Sequence, residues 1–216
     1  ADISHELRTP LAVLRGELEA LQDGVRPLEP AAVDSLYADT QRLSRLVEDL
    51  YELSMTDLGA LSCRKEATDL AQVLTADIEA YAPQFAEAGL DLAFQNRLGP
   101  SPRIQADKQR LSQLFRNLLA NSLRYTDPGG GLTVTLAEGD GHLHLDFQDT
   151  GPGVPAEALP RLFDRLYRVE GSRSRDTGGA GLGLAICRNI VAAHGGSIAA
   201  RQSPEGGLWI HIELPL

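Results

Sequence analysis

Cysteine is nearly absent from these 216 residues: Cys63 and Cys187 are the two, far apart in the chain. Two isolated thiols fit neither a disulfide framework nor a metal site, and they suit a reducing compartment. Long apolar runs are missing too. None approaches the ~18 residues that a bilayer span needs, and no signal peptide is visible. Positive charge is short, with 20 lysines and arginines against 30 aspartates and glutamates, a net charge of −10. That balance argues against nucleic acid or an anionic membrane surface as the main partner. With 43% hydrophobic residues, the chain has material for one large domain or two small ones. It starts at Ala1 inside a helical pattern and without an initiator Met, so a fragment of a longer protein is expected.

The first part is helical by its periodicity. Leu7, Leu11, Leu14, Leu18 and Leu21 recur at alternating spacings of four and three. Val33, Leu36, Thr40, Leu43, Val47, Leu50 and Ser54 do the same after a break around Asp23-Gly24 and Pro27 to Pro30. This is the seam of a coiled coil or bundle. One hairpin cannot bury such a seam on both sides, so a homodimer forming a four-helix bundle is expected. From about Gly59 the pattern changes. It predicts helices over 72–88, 108–125 and 182–194, and strands over 90–98, 103–106, 197–202 and 208–214. Residues 132–136 and 143–147 alternate around Gly139-Asp140-Gly141, a hairpin signature. The stretch from Gly151 to Gly179 is rich in proline, glycine and arginine and long for a plain loop, which favours a lid. The fold class expected is α+β: a helical hairpin over 1–58, then an α/β sandwich over 59–216, with a hinge near Gly59.

One octet in the first helix breaks the coil pattern: SHELRTPL, Ser4 to Leu11. In the heptad, His5 takes position b, outside the seam, and Thr9 lies on the same outer side. Pro10 removes a hydrogen bond to the Glu6 carbonyl and bends the helix beside His5. A neutral imidazole carries a lone pair at neutral pH, and Glu6 is placed to take the departing ring proton. A solvated histidine beside a solvated acid is the plainer account, but a coil gains nothing from a proline there.

Four features of the second part converge. Asn117, Asn121 and Arg124 form one polar stripe on a helix, opposite Leu111, Leu114 and Leu118. Asparagine oxygens suit a hard ion such as Mg²⁺ carrying a triphosphate. DTGPG, Asp149 to Gly153, closes a strand, and its carboxylate can accept from the exocyclic amine of adenine. GGAGLGL, Gly178 to Leu184, opens an apolar helix whose first N–H groups favour phosphate, although it lacks a Walker lysine. Between them lie Arg161, Arg165, Arg168, Arg173 and Arg175, which can close over phosphates or simply be solvated.

In this order, SHELRTPL resembles the phosphoacceptor box of sensor histidine kinases of two-component systems. NLLANSLRYT, DTGPG, LFDRLYR, GGAGLGLAI and HGGSI resemble that family's successive ATP-domain boxes. The resemblance covers essentially the whole chain, and YRVEGSRSRDTGGAGLGLAI is similar to the BaeS-type envelope-stress subfamily. It implies a dimerization and phosphotransfer hairpin followed by an ATP-binding domain of the Bergerat type, as in gyrase and Hsp90. It implies that His5 takes the γ-phosphoryl group, Glu6 is its base, and Thr9 helps position water for dephosphorylating a partner. ATP and Mg²⁺ are the implied cofactors, with Asn117 and Asn121 at the phosphates and Mg²⁺, and Arg124 and Tyr125 lining the nucleotide. Asp149 would read adenine, Arg168 would approach the γ-phosphate, and Gly151, Gly153, Gly179, Gly181, Leu182 and Gly183 would shape the pocket. The implied partners are a second copy and the receiver domain of a response regulator. A membrane enters only through a sensor region absent from this chain, which would make this the cytoplasmic fragment of an inner-membrane protein. The departures are Leu166 where a second Phe is frequent, Thr150 where Asn is common, and Ser122 where Ala is frequent.

The other histidines look ordinary. His142 and His144 share a solvent-facing strand face, His194 ends a helix, and His211 alternates with Trp209 and Glu213. Two rival functions remain open: an ATPase machine on the same fold, and a degenerate kinase acting as a dimer scaffold.

Overall fold

The computed structural model describes residues 3–57, 63–99, 102–169 and 181–216. The chain divides into two compact units, Ala1–Gly59 and Ala60–Leu216. Among the described residues, no helix is long and apolar enough to cross a membrane.

The first unit is a helical hairpin of α1 (Ile3–Gln22) and α2 (Pro30–Asp57). Gly24, at a φ of 71°, turns the chain between them. Pro10 lies inside α1, which is assigned as helix throughout. In α1 the expected seam holds in part, with Leu7, Leu14 and Leu21 turned partly inward. In α2 the buried residues are Ala32, Leu46 and Leu53, one position before Val33, Val47 and Ser54 of the expected seam, because within one hairpin α2 turns that neighbouring row toward α1. Leu11, Leu18, Val33 and Val47 stay about half exposed, at 50, 50, 51 and 51%. A single hairpin therefore leaves one apolar stripe uncovered.

The second unit is an α/β sandwich. Its elements are β1 (Glu66–Asp69), α3 (Leu70–Glu87), β2 (Asp91–Asn96), β3 (Arg103–Ala106), α4 (Lys108–Tyr125), β4 (Gly131–Gly139), β5 (His142–Asp149), α5 (Gly183–Ala193), β6 (Ser197–Gln202) and β7 (Leu208–Pro215). The main sheet is mixed, in the order β2-β4-β5-β7-β6, with β2 parallel to β4 and the other neighbours antiparallel. Asp140 and Gly141, at φ of 51° and 75°, form the tight turn that pairs Gly139 with His142. β1 pairs with β3 in a separate two-stranded sheet. Its residues, Glu-Ala-Thr-Asp, do not alternate as the Arg-Ile-Gln-Ala of β3 does, which is why periodicity misses β1. The helix expected at 72–88 starts two residues earlier, because Asp69 caps α3 by accepting from the Gln72 N–H at 3.1 Å.

One face of the sheet carries the core. Leu132, Val134, Leu136, Leu143, Leu145, Phe147, Ile210, Ile212 and Leu214 are buried there, each worth ~1.5–3 kcal/mol when fully buried. α4 sets Leu111, Leu114, Phe115, Leu118 and Leu119 against them, and Phe115 stacks on Phe147 with centroids 6.3 Å apart. α4 also packs on α3 and α5. The α3 junction is polar at one point: buried Asp77 accepts from Arg116 at 2.7 Å and from the Ser112 hydroxyl at 2.9 Å. This packing fixes the rotation of α4 and hence the direction of its polar stripe.

Candidate nucleotide site and phosphoacceptor helix

The site is built around Asp149, the last residue of β5, whose alternation puts it on the core face after Phe147. Its Oδ1 accepts from the N–H groups of Gly151 at 3.1 Å and Leu208 at 2.8 Å. Among the described residues its Oδ2 meets only the Ser122 hydroxyl, which donates at a long 3.5 Å. Burial pushes this carboxyl's pKa up, and the three hydrogen bonds oppose the shift. Gly207 lets the start of β7 approach: a Cβ there would lie 2.2 Å from both the carbonyl oxygen and Oδ1 of Asp149. Gly151 and Gly153 shape the same corner, packed against Tyr125 and Gly206 respectively.

α4 supplies the second wall. Its buried apolar face leaves Asn117, Asn121 and Tyr125 half-buried and Arg124 exposed. The Asn117 amide donates to the Gly183 carbonyl at 3.5 Å, so the asparagine stripe and the first turn of α5 are neighbours. Leu182, the N-cap of α5, is buried, and the N–H of Ile186 bonds its carbonyl at 2.9 Å. The first amides of α5 thus point their positive end into this region. Gly181, at a φ of 70°, makes the sharp turn into the helix, and a Cβ would meet the Tyr167 carbonyl at 2.8 Å. Its carbonyl accepts from the Leu166 N–H at 3.0 Å. The arginine-rich segment is therefore fastened at Leu166 to the glycine turn. Leu166 itself has a φ of 58°, unusual for a branched residue.

The lid arginines divide. Arg161 lies over the Tyr167 ring at 4.3 Å and within 3.9 Å of Asp164, so it is engaged within the segment rather than free for phosphate. Arg168 is half-buried. Arg173, Arg175 and Gly179 lie outside the described residues. In the helical unit, His5 and Glu6 belong to α1 and their side chains lie outside the described residues, whereas Thr9 is exposed. The hinge expected near Gly59 also falls outside them.

The residues fit an adenine nucleotide. Asp149 is an acceptor-only group whose Oδ2 keeps room for a donor, and adenine brings an amine where guanine brings a carbonyl oxygen. Thr126, the residue after α4, adds a buried hydroxyl with no hydrogen-bond partner among the described residues. Ser122, Thr126, Gly207 and Leu208 are the site residues that sequence reasoning missed. Ser122 registers there only as a departure from a pattern. The available signal for the others is the Gly206-Gly207 pair directly before a strand.

Residues 106–216 match the family described as histidine kinase-, DNA gyrase B- and HSP90-like ATPase, and residues 1–59 match the His kinase A (phospho-acceptor) domain. The chain belongs to the sensor histidine kinases. This kinase chain is 55% identical over 216 residues to the signal transduction histidine-protein kinase BaeS of Escherichia coli (strain K12). The match takes in 100% of the chain and 46% of BaeS, so the chain spans about half the length of that relative. Among solved structures, a chain of the Acinetobacter baumannii histidine kinase AdeS superposes with a TM-score of 0.83 at 28% identity, over 99% of this chain and 98% of that solved chain. Full-length ShkA in complex with AMPPNP superposes with a TM-score of 0.69 at 29% identity, over 98% of this chain and 44% of ShkA.

Proposed function

We propose that this kinase binds ATP at the Asp149 corner, transfers its γ-phosphoryl group to His5, and passes it to an aspartate on a response-regulator receiver domain. The caged Asp149 carboxylate beside the junction of α4 and α5 is the observation that carries this reading. Asp149 accepts from the adenine amine. Asn121, with Asn117 beside it, offers amide oxygens to a Mg²⁺ that neutralises the triphosphate. Arg124 and Tyr125 line the nucleotide, the α5 amides meet its phosphates, and Arg168 approaches the γ-phosphate. On the hairpin, the Glu6 carboxylate takes the proton that His5 loses as its ring nitrogen bonds phosphorus. The resulting phosphoramidate is labile, which suits onward transfer to a carboxylate. Thr9, one helical turn away, orients water when the kinase dephosphorylates its regulator. The half-exposed stripe of Leu11, Leu18, Val33 and Val47 supports a homodimer in which two hairpins close one four-helix bundle. The full-length protein would be a sensor at the inner membrane, with this part on the cytoplasmic side.

Incubation with γ-labelled ATP and Mg²⁺ tests this. Acid-labile, alkali-stable label is expected on the parent chain, and none on His5→Gln or Asn121→Ala. Steady phosphate release without protein label would instead mark an ATPase. ATP binding with neither label nor release would mark a scaffold.

A further inference from the structure

The face of the main sheet opposite the core carries a second cluster, and nothing in the kinase reading uses it. Along β5 the core positions are 143, 145, 147 and 149, so His142, His144, Asp146 and Gln148 project the other way. β7 does the same with Trp209, His211 and Glu213. The antiparallel register sets His144 directly across from Glu213 and Asp146 across from His211. Backbone pairing thus gathers two imidazoles and two carboxylates on one patch, on the opposite face from Asp149.

The hydrogen bonds fix which nitrogen of each ring is available. His211 Nδ1–H donates to Asp146 Oδ1 at 2.6 Å, which leaves Nε2 with the lone pair. That Nε2 lies 3.3 Å from Glu213 Oε1. His144 Nε2–H donates to the Gly139 carbonyl at 3.0 Å, which leaves Nδ1 with the lone pair, 3.9 Å from the same Glu213 oxygen. Glu213 is held by its other oxygen, which accepts from the Ser197 hydroxyl at 3.0 Å. Asp146 is held by the Trp209 indole N–H at 2.7 Å. Two ring nitrogens with lone pairs and a carboxylate oxygen this close together repel unless a cation lies among them. A proton serves one ring at a time, whereas a metal ion serves all three donors.

The three donor atoms lie within 4.8 Å of one another. Ligands on a tetrahedral zinc at ~2.0–2.1 Å stand ~3.4 Å apart, so a modest closing of the side chains completes the geometry. The outer contacts have the pattern of a working site: a carboxylate on one ring nitrogen and a backbone carbonyl on the other ring. Side-chain exposures of 24% for His144, 16% for His211 and 41% for Glu213 hold the donors in place and leave them open to solvent. We propose that His144, His211 and Glu213 bind a Zn²⁺-class divalent ion on the open face of the sheet, with a fourth position left to water. Imidazole and carboxylate donors favour that class over Mg²⁺, so this ion is distinct from the one that travels with ATP. Asp146 is a positioning residue, which acts by orienting His211.

The test is zinc binding to the intact chain without nucleotide, by calorimetry and by the fluorescence of Trp209. That residue is the chain's one tryptophan, and its ring centroid is 6.2 Å from that of His211. One ion per chain is expected, with Co²⁺ giving the intense visible bands of a tetrahedral centre. His211→Ala and Glu213→Gln should each weaken Zn²⁺ at least ~10-fold, and Asp146→Asn by ~10–100-fold, the usual effect of removing an outer partner. His142→Ala should leave the affinity unchanged. Far-UV circular dichroism without metal checks that each variant is folded. A thermal midpoint raised by Zn²⁺ in the parent and not in the His144→Ala/His211→Ala double variant is an independent readout. The proposal falls if the parent shows no saturable Zn²⁺ binding. It falls equally if the folded double variant binds as the parent does, or if Trp209 responds to pH but not to Zn²⁺.

Discussion

Asp149, the residue proposed to read adenine, is held in its place at the expense of stability. Its Oδ1 is tied to two backbone N–H groups, and burial still raises its pKa, so the folded chain resists holding this charge. The sign of the linkage follows. A carboxyl with a raised folded pKa contributes stability that is fully present below the unfolded value of 3.8 and is lost as pH rises through the folded one. Asp149→Asn keeps an acceptor for Gly151 and Leu208 and removes the buried charge. Its melting temperature without nucleotide should match or exceed the parent's at pH 8. ATP affinity should fall ~10–100-fold, the worth of a hydrogen bond to a charged group. Thermal melts and binding isotherms on one preparation check both. At this scale much was legible: an acid ending an alternating strand before glycines, and asparagines where a solvated face would carry lysine and glutamate. Ser122 and Leu208 were not, because their bonds to Asp149 join positions 27 and 59 residues away, and no local pattern records such contacts.

Helices α4 and α5 are joined at the end away from the Asp149 corner. Asp107 caps α4 by accepting from the Gln109 and Arg110 N–H groups, and its Oδ2 accepts from the Arg64 N–H at 2.9 Å. Its own N–H donates to His194 Nε2 at 2.9 Å, while His194 Nδ1–H donates to the Ile190 carbonyl at 2.8 Å. His194, taken from sequence as an ordinary end of a helix, is thus a buried link between two helices. Burial lowers its pKa, with the Ile190 bond opposing. A histidine with a depressed folded pKa gives stability that is present above its unfolded value of 6.5 and lost as pH falls toward the folded one. His194→Leu strands the Asp107 N–H and should cost ~1–3 kcal/mol in denaturant unfolding at pH 7.5, with a weaker pH dependence between 7 and 5.

The hairpin titrates in the opposite sense. Burial pushes the Asp49 pKa up to about 6, with Glu52 and Glu48 adding to the shift and Arg45 opposing it. Its contribution is present below the unfolded value of 3.8 and lost as pH rises through about 6. Asp49→Asn should therefore raise the hairpin's thermal midpoint at pH 7.5 and leave it unchanged at pH 3.5, as followed by circular dichroism. The helices themselves were legible in the sequence, and α4 runs over Lys108–Tyr125 as its pattern predicts. β1 was not, since its residues do not alternate and it owes its existence to pairing with β3.

At the scale of the whole molecule, the chain pairs a unit that leaves apolar surface uncovered with a unit that closes its own core. Heptad spacing made the first legible, because a two-sided seam on two helices calls for two more helices. Leu18→Glu places a charge in that stripe, and each buried leucine is worth ~1.5–3 kcal/mol. Light scattering should show dimer dissociation strengthened at least ~10-fold for this variant, with the nucleotide affinity of the other unit unchanged.

The most direct test of the central claim is mass spectrometry of the chain after incubation with Mg²⁺-ATP, kept at neutral pH through digestion. The account predicts the mass of one phosphoryl group on the peptide that holds His5, and ~10–100-fold less of it in Asp149→Asn at limiting ATP. Phosphate on any other peptide, or on His5→Gln to the same extent as the parent, would contradict it.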